Sequence, residues 1–108
     1  MTVYGIVTIF SELDLRTIED TSVVNFLVSF VETIGKGDNK KLNFHSISVE
    51  AWAGAADYLY TKCRKGDKLY LQGILRQNRW EDKDGNKHQK NVVRIQNFQL
   101  MNQEISNN

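Results

Sequence analysis

Hydrophobic positions along the second half of the chain recur as strand patterns rather than helical ones. From Lys68 to Trp80, Leu69, Tyr70, Leu71, Ile74, Leu75 and Trp80 are strand formers, with Gly73 where a small barrel strand bends. From Asn91 to Leu100, Val92, Val93, Ile95, Phe98 and Leu100 repeat the pattern. Between the two runs, Lys83-Asp84-Gly85-Asn86 supplies turn chemistry, because Asp-Gly tolerates the positive backbone angles of a tight reversal. The segment from Arg64 to Ile95 is therefore predicted to centre on one long β-hairpin.

The first half is read the same way. Val3 to Phe10 predicts a first strand, and Ser11 to Asp20 a polar connection. Val23 to Ile34 predicts a second strand, alternating imperfectly around Phe26, Val28, Phe30 and Ile34. It breaks at the turn-rich basic loop Gly35 to Lys41. Leu42 to Val49 predicts a third strand whose weak alternation does not assign a buried face. Ala51 to Cys63 differs in kind: its alanines and the spacing of Ala55, Leu59 and Cys63 predict a short helix, ended at Lys65-Gly66-Asp67.

Size and composition fit a single compact domain. The chain has 108 residues, 41% hydrophobic and 25% charged, which is average globular usage and enough for a core without metal or disulfide. Residues 1–101 are expected to form that domain and 102–108 a short flexible end. Cys63 is the sole cysteine, read as a structural thiol. No apolar stretch approaches a membrane span and no secretory signal is evident, so a soluble, mature protein is expected.

Net charge is only +1, but its distribution is lopsided. Met1 to Gly35 carries Arg16 against Glu12, Asp14, Glu19, Asp20 and Glu32, a net of −4, which leaves +5 for the remainder. Arg76, Arg79, Lys83, Lys87, Lys90 and Arg94 gather on the predicted hairpin around Trp80. Cations beside a flat ring suit a polyanion with stackable bases. Taken singly, the same residues also fit a solvated strand face and a core tryptophan. Tyr58, Tyr60 and Tyr70 read as packing or interface residues. Catalysis has little support: His45 and His88 lack zinc-ligand spacing, Cys63 has no histidine nearby, and Glu81-Asp82-Asp84 reads as a solubilising turn. No catalytic residue, metal or cofactor is expected.

Strand, strand, strand, helix, strand, strand is the order of an all-β, five-stranded Greek-key barrel, the oligonucleotide-binding fold, with one short helix between strands 3 and 4. The chain also resembles the bacterial and organellar single-stranded DNA-binding protein family over nearly its whole length. The resemblance is carried by Leu15-Arg16, Val24-Asn25-Phe26, Phe44-His45, Trp52 ahead of Ala55-Ala56, and Arg64-Lys65-Gly66-Asp67. It continues through Leu69-Tyr70-Leu71-Gln72-Gly73, Leu75-Arg76, Arg79-Trp80 and Asp84-Gly85.

The resemblance implies a non-catalytic protein that coats and protects single-stranded DNA, commonly as a homotetramer, in the bacterial cytoplasm and nucleoid or in an organelle. It implies stacking by Phe44, Trp52 and Trp80, with inward packing a standing alternative for Trp52. It implies phosphate contacts from Lys36, Lys40, Lys41, Lys62, Arg76, Arg79, Lys83 and Lys87. Ile34 occupies a further aromatic position, the usual proline before Leu15 is absent, and two extra residues lie between His45 and Trp52. The end at Gln103 to Asn108 lacks the family's acidic-hydrophobic tip, so recruitment of replication proteins through it is not expected. The alternative function is a paralogue acting as a protein-interaction or primosome-assembly module with weak DNA or RNA binding.

Overall fold

The computed structural model describes residues 1–101; the expected flexible end, 102–108, lies outside them. In chain order the elements are β1 (Thr2–Ile9), β2 (Asp14–Ile18), β3 (Thr21–Ile34), β4 (Lys41–Trp52), α1 (Ala53–Lys62), β5 (Lys68–Glu81) and β6 (Lys87–Leu100). They form one sheet in the order β1-β5-β6-β4-β3-β2. A short antiparallel pairing of Thr8 with Ser29 and Ile9 with Val28 joins β1 back to β3, so β1, β3, β4, β5 and β6 close into a five-stranded barrel.

β2 is an addition to the expected order. Its five residues are all exposed, and it is held by antiparallel pairing with the start of β3. A strand with no buried face leaves no alternation to read, which is why Ser11 to Asp20 reads as a connection. Glu19 and Asp20 make its reversal at φ 49° and 66°, the left-handed geometry of the tightest hairpin turns.

The core explains the rest. Val24, Phe26 and Val28 of β3 alternate inward and meet Val49 and Ala51 of β4, Leu69 and Leu71 of β5, and Val93 and Ile95 of β6. Ala56, Leu59 and Cys63 place the helix on the same core. Leu59 is fully buried, a position where truncation to alanine costs about 2–5 kcal/mol. Burial, with the charge of Asp67 second, pushes the Cys63 thiol up to about 11, so it packs as a neutral group. Gly73 sits at the one register irregularity of the β5–β6 ladder, where a Cβ would meet the Arg94 carbonyl and lie 2.7 Å from Val93 Cγ1. Only glycine lets β5 and β6 approach this closely.

Two hairpins outrun the barrel and position the candidate site. The far half of β3 and the near half of β4 form one arm, whose tip holds a 3-10 turn at Gly37–Asn39. The far half of β5 and the near half of β6 form the other, with its tip at Asp82 to Asn86. Pairing of β3 with β4 runs unbroken from Val23 opposite Trp52 to Ile34 opposite Lys41. β6 begins four residues before its hydrophobic run, at Lys87, because that part of its arm is exposed and polar. β4 runs on through Glu50, Ala51 and Trp52, so the helix starts at Ala53 and not at the expected Ala51. Among the described residues, no helix is long and apolar enough to cross a membrane.

Candidate nucleic-acid interface

Side chains alternate along a strand, and residues directly opposite each other in a ladder share a face. Since Val24, Phe26, Val49, Leu71 and Val93 point into the barrel, the residues between them define its outer face. On β4 these are Leu42, Phe44, Ser46, Ser48, Glu50 and Trp52; on β5, Ile74, Arg76, Asn78 and Trp80; on β6, His88, Lys90, Val92 and Arg94. The sheet thus brings Phe44, Trp52, Arg76 and Trp80, separated by up to 36 positions in sequence, onto one continuous surface.

The three aromatic residues differ in environment. Phe44 is 74% exposed on the β3–β4 arm and Trp80 is 50% exposed on the β5–β6 arm, so both rings leave surface open to solvent. Trp80 stands opposite His88, the two rings stacked with centroids 5.3 Å apart and planes 18° from parallel. Trp52, at the barrel end of β4 and away from the arm tips, is half-buried and held from two sides. Its indole Nε1–H donates to Glu50 Oε2 at 3.1 Å, and the Arg94 guanidinium lies 4.7 Å above its ring. It is a surface residue locked in place and does not pack into the core.

Glu50 is the group the sequence reading missed. It is 8% exposed in the middle of the outer face, and its Oε2 also accepts from Arg94 Nε at 2.7 Å across the parallel β4–β6 pair. A buried carboxylate needs such partners. Asn25, opposite Glu50 on β3, accepts from Arg16 Nη2 at 3.2 Å and extends the polar row to β2. The available signal was parity: Glu50 shares the alternation of Phe44 and Trp52. Arg94 was visible as a hairpin cation, but its pairing with Glu50 depends on the parallel β4–β6 contact, which no local pattern encodes.

The candidate cations divide by position. Arg76 lies on the outer face beside the aromatic residues. Arg79 and Lys87 project from the opposite face of the same arm, where Arg79 donates to Gln77 Oε1 through Nε at 3.1 Å and Nη2 at 2.7 Å. Lys41, paired with Ile34, belongs to the reverse face of the other arm. Lys36 and Lys40 flank the turn at that arm's tip, Lys83 lies in the β5–β6 tip, and Lys62 is in the last turn of α1. Ile34 is exposed at the end of β3. The acidic residues Glu12 to Asp20 lie on and around β2, at the end of the sheet order opposite the β5–β6 arm.

Tip geometry is set by Asp82. Its Oδ1 accepts the backbone N–H groups of Asp84 at 3.0 Å and Asn86 at 2.9 Å, while Oδ2 accepts from His88 Nε2 at 2.9 Å. The His88 hydrogen bond, followed by that of the Asn86 backbone, holds its carboxyl below the usual range. His45 makes a parallel arrangement on the other arm, stacked on Phe30 with centroids 5.2 Å apart and donating to Glu32 Oε1 at 2.9 Å. Among the described residues, no group of three or more His, Cys, Asp or Glu side chains could hold a metal ion.

Residues 1–101 match the Single-strand binding protein family. The chain is 29% identical over 98 residues to Single-stranded DNA-binding protein 1 of Xylella fastidiosa (strain 9a5c), covering 88% of this chain and 72% of that protein. In overall fold it resembles the Plasmodium falciparum SSB complex with ssDNA, with a TM-score of 0.82, 16% identity and 94% of each chain covered. It also resembles a small single-stranded DNA-binding protein from Streptomyces coelicolor, with a TM-score of 0.75, 12% identity and 94% of each chain covered.

Proposed function

The chain belongs to the single-strand binding protein family, and from that premise we propose that it binds single-stranded DNA along the outer face of its barrel, without catalysis, keeping the strand unpaired and protected. The observation that carries this reading is the common face of Phe44, Trp52 and Trp80. Flat rings at intervals along one surface stack on bases of any sequence, and a duplex hides the faces they need. Trp80 and Phe44 supply the exposed platforms on the arms and Trp52 the fixed one at the barrel end of β4.

Phosphate contacts come from Arg76 on that face and from the tip residues Lys36, Lys40 and Lys83. Lys41, Arg79, Lys87 and Lys62 contribute where the strand turns around an arm or passes the helix. The protein works as a homo-oligomer, a tetramer by family analogy. Support for assembly comes from β1, where Tyr4 and Ile6 are 75% and 57% exposed, and from its Thr2-to-Val7 edge, which has no partner on the β3 side among the described residues. The reading places it with the DNA of a bacterial cytoplasm or an organelle.

The test is tryptophan fluorescence titration with oligo-dT and with duplex DNA of equal length at two salt concentrations. Tight oligo-dT binding that weakens with salt, at a slope near −0.7 for each neutralised phosphate, supports the reading. Equal affinity for duplex and single strand at moderate salt contradicts it.

A further inference from the structure

His88 stacks on the Trp80 platform, and the proposed function leaves it unused. Its ring lies parallel to the indole at 5.3 Å, its side chain is 44% exposed, and its Nε2 is fixed by Asp82 at 2.9 Å. Asp82 in turn is fixed by two backbone N–H groups of the tip, so turn, carboxylate, imidazole and indole form one connected unit. An open hollow beside this unit is lined by Arg79, Trp80, Glu81, Lys87, His88 and Gln89.

Resting on the single-strand reading above, we propose that His88 is a direct DNA contact, and that its protonated imidazole faces the phosphate of the nucleotide whose base stacks on Trp80. Charge explains why protonation matters. With a neutral imidazole the His88–Asp82 pair carries −1 and repels a phosphate. With an imidazolium the pair is neutral, and its N–H groups are charge-assisted donors. Asp82 stays an anion throughout, because the same hydrogen bonds hold its carboxyl below the usual range. Lys90 is the nearest cation on the same face of β6, while Glu81 and Lys87 face each other on the reverse side. Binding therefore takes up a proton, and the chain holds single strands more tightly at lower pH.

The experiment measures oligo-dT affinity of the whole chain at pH 8 and pH 5.5 across a salt series, since thymine does not titrate in this interval. The wild type, His88→Gln and His88→Phe are compared; all three keep His45, whose own contribution is then common to them. The wild type is expected to tighten on the order of fivefold at the lower pH, with a salt slope steeper by about 0.7. His88→Phe retains a ring against Trp80, and both variants are expected to lose the extra pH response. An unchanged pH response in His88→Gln, or none in the wild type, overturns the assignment of His88 alone. Failure of the wild type to bind oligo-dT at either pH overturns the single-strand reading itself.

Discussion

Arg79 and Trp80 are neighbours on β5 that leave the arm on opposite faces, Trp80 against His88 and Arg79 against Gln77. The cation and the ring therefore belong to different faces of the arm. Stacking and charge neutralisation are separable in this arm, and substitutions distinguish them.

Trp80→Ala removes a platform that is half exposed and carries no charge. Oligo-dT binding is expected to weaken by about 1–3 kcal/mol while the salt slope stays the same. Fluorescence anisotropy with labelled oligo-dT over a salt series measures both quantities.

Arg76→Ala removes a cation from the face that carries Phe44 and Trp80, and the salt slope is expected to flatten by about 0.7. Arg79→Ala acts on the reverse face and flattens it less. Equal losses from the two variants in the same anisotropy assay would mean that the strand engages both faces of the arm.

Arg94→Ala leaves the Glu50 carboxylate buried with the Trp52 indole as its remaining named donor. Removing one partner of a fully buried pair costs several kcal/mol; with the Arg94 side chain 39% exposed, a loss of about 2 kcal/mol is expected. Urea unfolding measures it. Adding Glu50→Gln should restore part of the loss, because the stranded charge is then gone.

The barrel was legible wherever burial imposed alternation: β3 from Val24 to Val28, β5 around Leu69 and Leu71, β6 around Val93 and Ile95. The helix was legible from Ala55, Leu59 and Cys63. β2 was not, since pairing with β3 holds it without burying a face. For the site, residue types pointed to Phe44, Trp52, Trp80 and Arg76, but their shared face follows from register, and register depends on distant strands. That is also why Arg79 reads as Trp80's companion and Glu50 passes unnoticed, although strand parity puts the first apart and the second among the aromatic residues.

Gly73→Ala forces a methyl against the Arg94 carbonyl and Val93 Cγ1 at the one irregular point of the β5–β6 ladder. Overpacking of this kind costs about 1–3 kcal/mol, and the contact is with backbone, which cannot swing aside. Thermal unfolding is expected to shift downward. Because Arg94 is displaced with it, its grip on Trp52 should loosen and shift the tryptophan emission.

The central claim, that a single strand lies along the outer face, is tested most directly by photocrosslinking to oligo-dT containing bromodeoxyuridine, with the attached residues identified by mass spectrometry. The account predicts adducts on Trp80, Phe44 and Trp52, and their loss in excess unlabelled oligo-dT. Adducts confined to Tyr4 on β1, or to Tyr58 and Tyr60 on α1, would contradict it.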